Sequence, residues 1–485
     1  MASSDTHATI RSGMLFPMWI LTWLGLALAA PANLLEEGMR AQRAGNVDKA
    51  LAKYSACIEE APDFVGCHWE IGWSYWTRGE WAKVVEHWRK VRILDPAHKQ
   101  VGKHLPTAEG HLESLLAIQK MATSAPETVR PPLADGRTIR LRAVGDIMLG
   151  TDFPGEGKHL PPDDGVGLLD AVRPALLDAD LTFGNLEGPL CDTGTTRKCR
   201  DGGNCYAFRT PTRYGKFLHD AGFDMMSTAN NHAEDFGDEC RMATEAALDA
   251  LGIAYSGRPG TIATVDVDGV KVGMIGFHTS RNSHYVNDHE LAEKLVQHVA
   301  RNHDLTIVSF HGGAEGSKAL HVPDEMEVFY GEERGHLRAF AQRVVAAGAD
   351  LVLGHGPHVP RGLQLIDGHL VAYSLGNFAT YGRFNLSGYL GTSLILEVTL
   401  DHEGKLVSGK ILPFKQVGDG IPQADGEATA VDLIRSLSTE DFGASAPVVA
   451  QDGTFVPIPG PAAEGESSPG GDGDEPGKPP DMGEP

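Results

Sequence analysis

The chain has 485 residues, with 65 Asp and Glu against 42 Lys and Arg, and a formal net charge of -23. Its length exceeds what one ordinary core accommodates, so two domains with additional segments are expected. The acidity excludes nucleic acid as the main partner, because neutralising phosphates takes a basic surface, and simple capture of a polyanion would need bound cations to reverse the local field. From the N-terminus, Met14 to Ala30 is an apolar run after Arg11, with Ala27-Leu28-Ala29 as a small-x-small cleavage pattern. Residues 1–32 therefore read as a secretory signal or an uncleaved membrane anchor, the only segment expected to touch a membrane. Export agrees with six cysteines and no C-x-x-C pair. Disulfides are expected, with Cys57 and Cys67 the natural local pair; a zinc knuckle from Cys191, Cys199 and Cys205 is the alternative.

Residues 33–122 contain a repeat. Gly38 and Gly72, Gly45 and Gly79, and Pro62 and Pro96 each lie 34 residues apart, and Ala41, Ala50 and Tyr54 match Tyr75, Val84 and Trp88. This period resembles tetratricopeptide repeats, which are helix-turn-helix units and would form a small all-α domain. A further helix, His104 to Met121, would cap two units that fall short of the roughly three usually needed. Trp69, Trp73, Trp76, Trp81 and Trp88 fall at helical spacing and read as core. The repeats are also where a protein partner would be recruited.

A Pro-rich stretch, Ala125 to Asp135, lies within an expected linker over 123–138. From 139 to 459 apolar runs alternate with amphipathic helices, which argues for an α/β domain. The expected strands include Ile139–Val144, Leu181–Gly184, Val272–Phe277, Leu305–Phe310 and Leu351–Leu353; a helix over Leu337–Ala347 ends at Gly348. Ala428–Leu437 reads as a helix and Thr454–Ile458 as a strand. Residues 460–485, rich in Gly, Pro, Asp and Glu, cannot bury a core and read as disordered.

Five polar blocks follow apolar runs in this domain: Gly145-Asp146, Asn185-Leu186-Glu187, Asn230-Asn231-His232, His311-Gly312-Gly313 and His355-Gly356-Pro357-His358. A strand end combines a rigid backbone with a loop facing a crevice, which is where α/β folds place their chemistry. Asp146, Glu187, Asn231, His311, His355 and His358 mix carboxylate, amide and imidazole donors, a set suited to zinc, iron or manganese. Individually, Asp146 reads equally well as a turn or helix cap, and Asn230-Asn231 as turn residues. His355 and His358 flank a Gly-Pro turn that lets both rings face one centre. His278, His303, His321 and His369 lack a partner motif and are left as surface or core residues.

The series Gly145-Asp146-Ile147-Met148-Leu149-Gly150, Asn185 to Leu190, Asn230-Asn231-His232 with Asp235 and Gly237, His311-Gly312-Gly313 with Glu315, Gly354 to Val359 and Tyr373 to Phe378 resembles the CapA family, associated with poly-gamma-glutamate capsule biosynthesis. Members of that family resemble calcineurin-like metallophosphoesterases. The resemblance implies a four-layer α/β/β/α sandwich and one or two divalent metals. It puts Asp146 on the first metal with His358, Glu187 or Asn185 in the bridging position, and Asn231, His311 and His355 on the second. It makes His232 the general acid, oriented by Asp235, with a cation-activated water attacking. Glu315, Ser374 and Asn377 would fix ring orientation or touch substrate. Two departures stand out. The phosphoesterase Asp-x-His carries Met148 in third position, and its bridging Asp is replaced by Asn185-Leu186-Glu187.

These features imply an exported protein of the cell envelope acting in capsule or exopolymer synthesis, with a hydrolase-like site for a phosphoester or an anionic polymer. The alternative is a non-catalytic component that binds polymer through cations or recruits a partner, with a degenerate metal site.

Overall fold

The computed structural model describes residues 19–123, 136–155, 157–196, 198 and 206–457, with side chains from Ala30 onward. The start of the Met14–Ala30 run, up to residue 18, the Pro-rich stretch, Cys199, Cys205 and the tail lie outside the described residues. The chain divides into two compact units, Met1–Ser124 and Ala125–Pro485.

The described residues of the first unit form the helices Trp19–Arg43, Val47–Glu60, Val65–Trp76, Trp81–Leu94 and Lys99–Thr123. The repeated residues have matching physical roles. A Cβ on Gly38 would stand 2.3 Å from the Tyr54 ring, and one on Gly72 would stand 2.0 Å from Trp88. In each helical hairpin, therefore, a glycine makes room for a large ring from the second helix. Gly45 and Gly79 take φ values of 75° and 68° in the connecting turns, where a side chain would be strained. Trp88 is fully buried, and the half-buried Trp69, Trp73, Trp76 and Trp81 pack around it. The Cys57–Cys67 disulfide ties the second helix to the third. The expected helix at His104 begins earlier, at Lys99. Among the described residues, no helix is long and apolar enough to cross a membrane.

The second unit is mixed α/β, with two sheets packed face to face. In the first sheet Ile139–Met148 pairs parallel with Leu181–Leu186 on one side, and with Thr392–Leu400 (antiparallel) and Asn377–Thr380 (parallel) on the other. The centre of the second sheet is Val270–His278, Leu305–His311 and Leu351–His355, all parallel. Strand periodicity sends alternate residues to opposite faces. Leu141, Ala143, Phe183 and Met225 meet Met274, Ile307, Leu351 and Leu353 in the core between the sheets. Val144, Ile147 and Met226 pack outward against Leu176, Leu218 and Leu248, which belong to three helices. Outside the second sheet, helices His289–Asn302 and Leu337–Ala346 cover its strands, with Phe340 against Phe277 and Phe310. The result is the expected α/β/β/α order.

The strands run beyond the apolar segments that mark them in the sequence. Ile139–Met148 takes in Asp146, and the three central strands of the second sheet end on His278, His311 and His355. Close backbone approach makes this possible. A Cβ on Gly145 would lie 1.9 Å from the Gly376 carbonyl oxygen, and one on Gly354 would lie 2.2 Å from that of Tyr373. A register shift between Ala143 and Asp146 re-aims the Asp146 side chain, as bulges beside active sites do.

Candidate metal centre

Two rows of polar residues end the sandwich. His278, His311 and His355 are register partners in the second sheet. Asn377, Asp146, Asn185 and Ser227 form a row in the first. Ligand atoms of Asp146, Glu187 and His311, all buried, lie within 4.8 Å of one another. His355 Nδ1 stands 3.4 Å from Asp146 Oδ1, and His358 Nδ1 stands 2.9 Å from Asp146 Oδ2. The turn between them allows both approaches. Gly356 has φ 113°, where a Cβ would meet the Gly312 carbonyl oxygen at 2.7 Å, and His358 takes a left-handed φ of 61°.

The residues fit a divalent cation on a test internal to the site. Buried polar atoms almost always find hydrogen-bond partners. Here both ring nitrogens of His311 and of His355, Glu187 Oε1 and Asn231 Oδ1 are buried without one. Nitrogen and oxygen donors converging in this way suit manganese, iron or zinc. The electrostatics agree. Burial opposes ionisation of Asp146, but His355 and His358 outweigh it and hold its carboxyl well below the usual range. Burial, with the Asp146 charge added, pushes Glu187 well above it. His358 rises to about 9 because the Asp146 carboxylate overcomes its burial. His311 is held far below the usual histidine range by burial. A cation would relieve the repulsion that raises Glu187.

Asn185 lies between the two buried carboxylates. Its amide nitrogen donates to Asp146 Oδ1 at 2.8 Å and to Glu187 Oε2 at 3.0 Å, so it spaces the carboxylates. Met148 turns its sulfur to the Gly150 N–H at 3.2 Å. Cys191 is bonded to Cys240, so it is not a thiolate for a zinc knuckle.

His232 stands beside the cluster. Its Nδ1 lies 2.7 Å from Asp235 Oδ2 and its Nε2 lies 3.7 Å from Glu187 Oε1. Phe208 packs on the ring, with centroids 4.2 Å apart, and donates its N–H to Asp235 at 2.8 Å. Lys198 pairs with Asp235 and donates to the Asn231 carbonyl at 2.6 Å. Glu315 reaches toward His358 at 3.9 Å and accepts from Arg334 at 2.7 Å. Ser374 accepts from the Gly376 N–H and so helps to shape the turn. Asn377 donates to the Leu390 carbonyl at 3.0 Å and keeps a buried, unpartnered Oδ1.

Beside this centre lies a cleft of about 800 Å³, lined by residues including Lys198, Asn231, Arg241, His278, Glu315 and Arg334. Sequence reasoning passed over Lys198, Arg241, His278 and Arg334. None belongs to a local motif. Only His278 left a signal, since it closes an apolar strand as His311 does. His303, His321 and His369 have partners elsewhere: His303 bonds Val299, His321 bonds Asp441 and His369 bonds Gly404.

Residues 140–381 match the family described as bacterial capsule synthesis protein PGA_cap. The PGA biosynthesis protein CapA of Bacillus subtilis is 24% identical over 309 residues, covering 60% of this chain and 76% of that protein. The capsule biosynthesis protein CapA of Bacillus anthracis is 25% identical over 281 residues, 54% of this chain and 63% of that one. A probable polyglutamine synthesis accessory protein of Mycobacterium tuberculosis is 28% identical over 219 residues, 39% of this chain and 54% of its own. The chain thus spans about three quarters of the first relative and less than two thirds of the other two. Through its α/β unit, this chain belongs to the bacterial capsule synthesis protein family.

Proposed function

We propose that the chain acts in capsule or exopolymer synthesis at the cell envelope, and that its α/β unit is a metal-dependent hydrolase for a phosphoester or an amide-linked anionic polymer such as poly-gamma-glutamate. The observation that carries the hydrolase reading is the set of buried, unpartnered imidazole nitrogens on His311 and His355 beside Asp146 and Glu187. In this reading Asp146, Glu187, His311, His355 and His358 hold the metal, with Asn231 contributing its free Oδ1. A bound divalent cation supplies Lewis-acid polarisation and activates water at neutral pH.

The protein groups have separate tasks. His232 is the proton donor to the leaving group. Burial, against the opposing Asp235 carboxylate, holds its ring below the usual histidine range, which favours giving a proton up. Asp235 fixes the ring through Nδ1, and Lys198 pins Asp235. Glu315, held by Arg334, restrains His358 from the cleft side. The helical unit recruits a protein partner, and the segment before it directs or anchors the chain.

Metal analysis of the purified protein, combined with hydrolysis of a generic phosphoester and of poly-gamma-glutamate, tests this. About one or two transition metals per chain are expected. His311→Ala should lose metal, while His232→Ala should keep metal and lose turnover. A metal-free wild type would sink the reading, and full activity in His232→Ala would remove the assigned acid.

A further inference from the structure

His278 ends the strand Val270–His278, and the parallel register sets it beside His311, with His355 next in the row. Its ring centroid stands 5.5 Å from that of His311. The residue is 3% exposed and lines the cleft beside the metal centre. Two other buried histidines show what packing alone requires. His284 bonds the Gly276 carbonyl at 2.9 Å and the Gly260 N–H at 2.8 Å, and His303 bonds Val299 and Thr264, both at 2.9 Å. Each ring satisfies both nitrogens.

His278 differs. The Ser280 N–H donates to its Nδ1 at 3.1 Å, so that atom is the acceptor and Nε2 carries the proton of the neutral ring. The Nε2–H meets the Thr279 hydroxyl at 3.3 Å, a long contact that a charged oxygen would readily replace.

We propose that His278 is a substrate-binding residue whose Nε2–H donates to an anionic oxygen of the group held beside His311. This rests on the hydrolase reading and adds to it an N–H donor on the cleft wall beside His311, for the negative charge that gathers on a phosphoryl or tetrahedral carbon centre. His278 neither gives up its proton nor binds metal; it orients the reacting group.

Titration of inorganic phosphate into metal-loaded full-length protein, followed by calorimetry, tests the assignment. His278→Ala should weaken phosphate binding roughly 10- to 100-fold. His278→Gln, which keeps an N–H donor, should recover most of the loss, and metal content should be equal in all three proteins. Wild-type phosphate affinity in His278→Ala, or loss of metal from it, would overturn the proposal while leaving the hydrolase reading intact. So would a metal-bearing wild type that ignores phosphate. A wild type that takes up no metal would overturn both.

Discussion

Asn185 donates one amide group to two buried carboxylates, Asp146 at 2.8 Å and Glu187 at 3.0 Å. The partial positive charge of that amide separates two groups whose mutual repulsion contributes to the raised Glu187. Asn185→Asp would put a third carboxylate among them. The metal-free protein should lose about 2 kcal/mol or more of stability, because a buried like charge is left unpaired. Manganese or zinc should restore more stability to this variant than to the wild type, since its site is more anionic. Thermal melts with and without metal decide. A variant no more metal-dependent than the wild type would show that Asn185 does not face the ion.

Gly145 tests the backbone geometry beneath the centre. Its Cα faces the Gly376 carbonyl, with 1.9 Å available for a Cβ, while the Asp146 N–H bonds that same carbonyl at 2.9 Å. Gly145→Ala should therefore cost about 2–3 kcal/mol by overpacking and shift Asp146 enough to weaken metal uptake. Denaturant unfolding and metal content check the two effects. Gly136→Ala is a control: its Cβ would meet nothing within 4 Å, although its φ of 80° carries strain of its own.

The pH response of folding should include a contribution from His284. Its Nδ1 donates to Gly276 and its Nε2 accepts from Gly260, an arrangement only the neutral ring permits. Burial lowers its pKa from 6.5 to about 4. The folded form thus binds its proton less readily than the unfolded chain. Its contribution is constant above the unfolded value and is lost as pH falls from about 6.5 toward 4. Between about pH 7 and about pH 5 this amounts to roughly 2 kcal/mol. His284→Gln should be less stable than the wild type near neutrality and show a shallower decline on acidification. Identical slopes in urea melts would exclude His284 as a contributor.

The fold class and most of the centre were legible because their signals are local. Strand-like runs ending in Asp146, His311 and His355 name both the element and the ligand, and the His355-Gly-Pro-His358 turn is short enough to aim both rings. Non-local features were less accessible. Nothing near His278 announces that parallel register will set it beside His311. Cys191 finds Cys240 across 49 residues. The placement of Asn185 between Asp146 and Glu187 is likewise set by the fold, not by its local sequence.

Arg361 supports the centre from beneath. Its side chain is fully buried and grips Glu327 through two bonds, Nη1 to Oε1 at 2.9 Å and Nη2 to Oε2 at 2.8 Å. It also bonds the Ala319 carbonyl at 2.7 Å, and Glu327 accepts from the Ala314 N–H at 2.9 Å. The pair therefore fixes the loop that leaves His311. Removing one partner strands a buried charge, so Arg361→Met and Glu327→Gln should each cost about 3–5 kcal/mol. The double variant should cost less than the two losses added, because neither charge is then left alone. Metal affinity should fall in both single variants, since His311 opens directly onto this loop. Unfolding free energies for the four proteins, with metal content beside them, measure the coupling. Simple additivity would mean that the two groups act separately and that the loop is held by its backbone bonds.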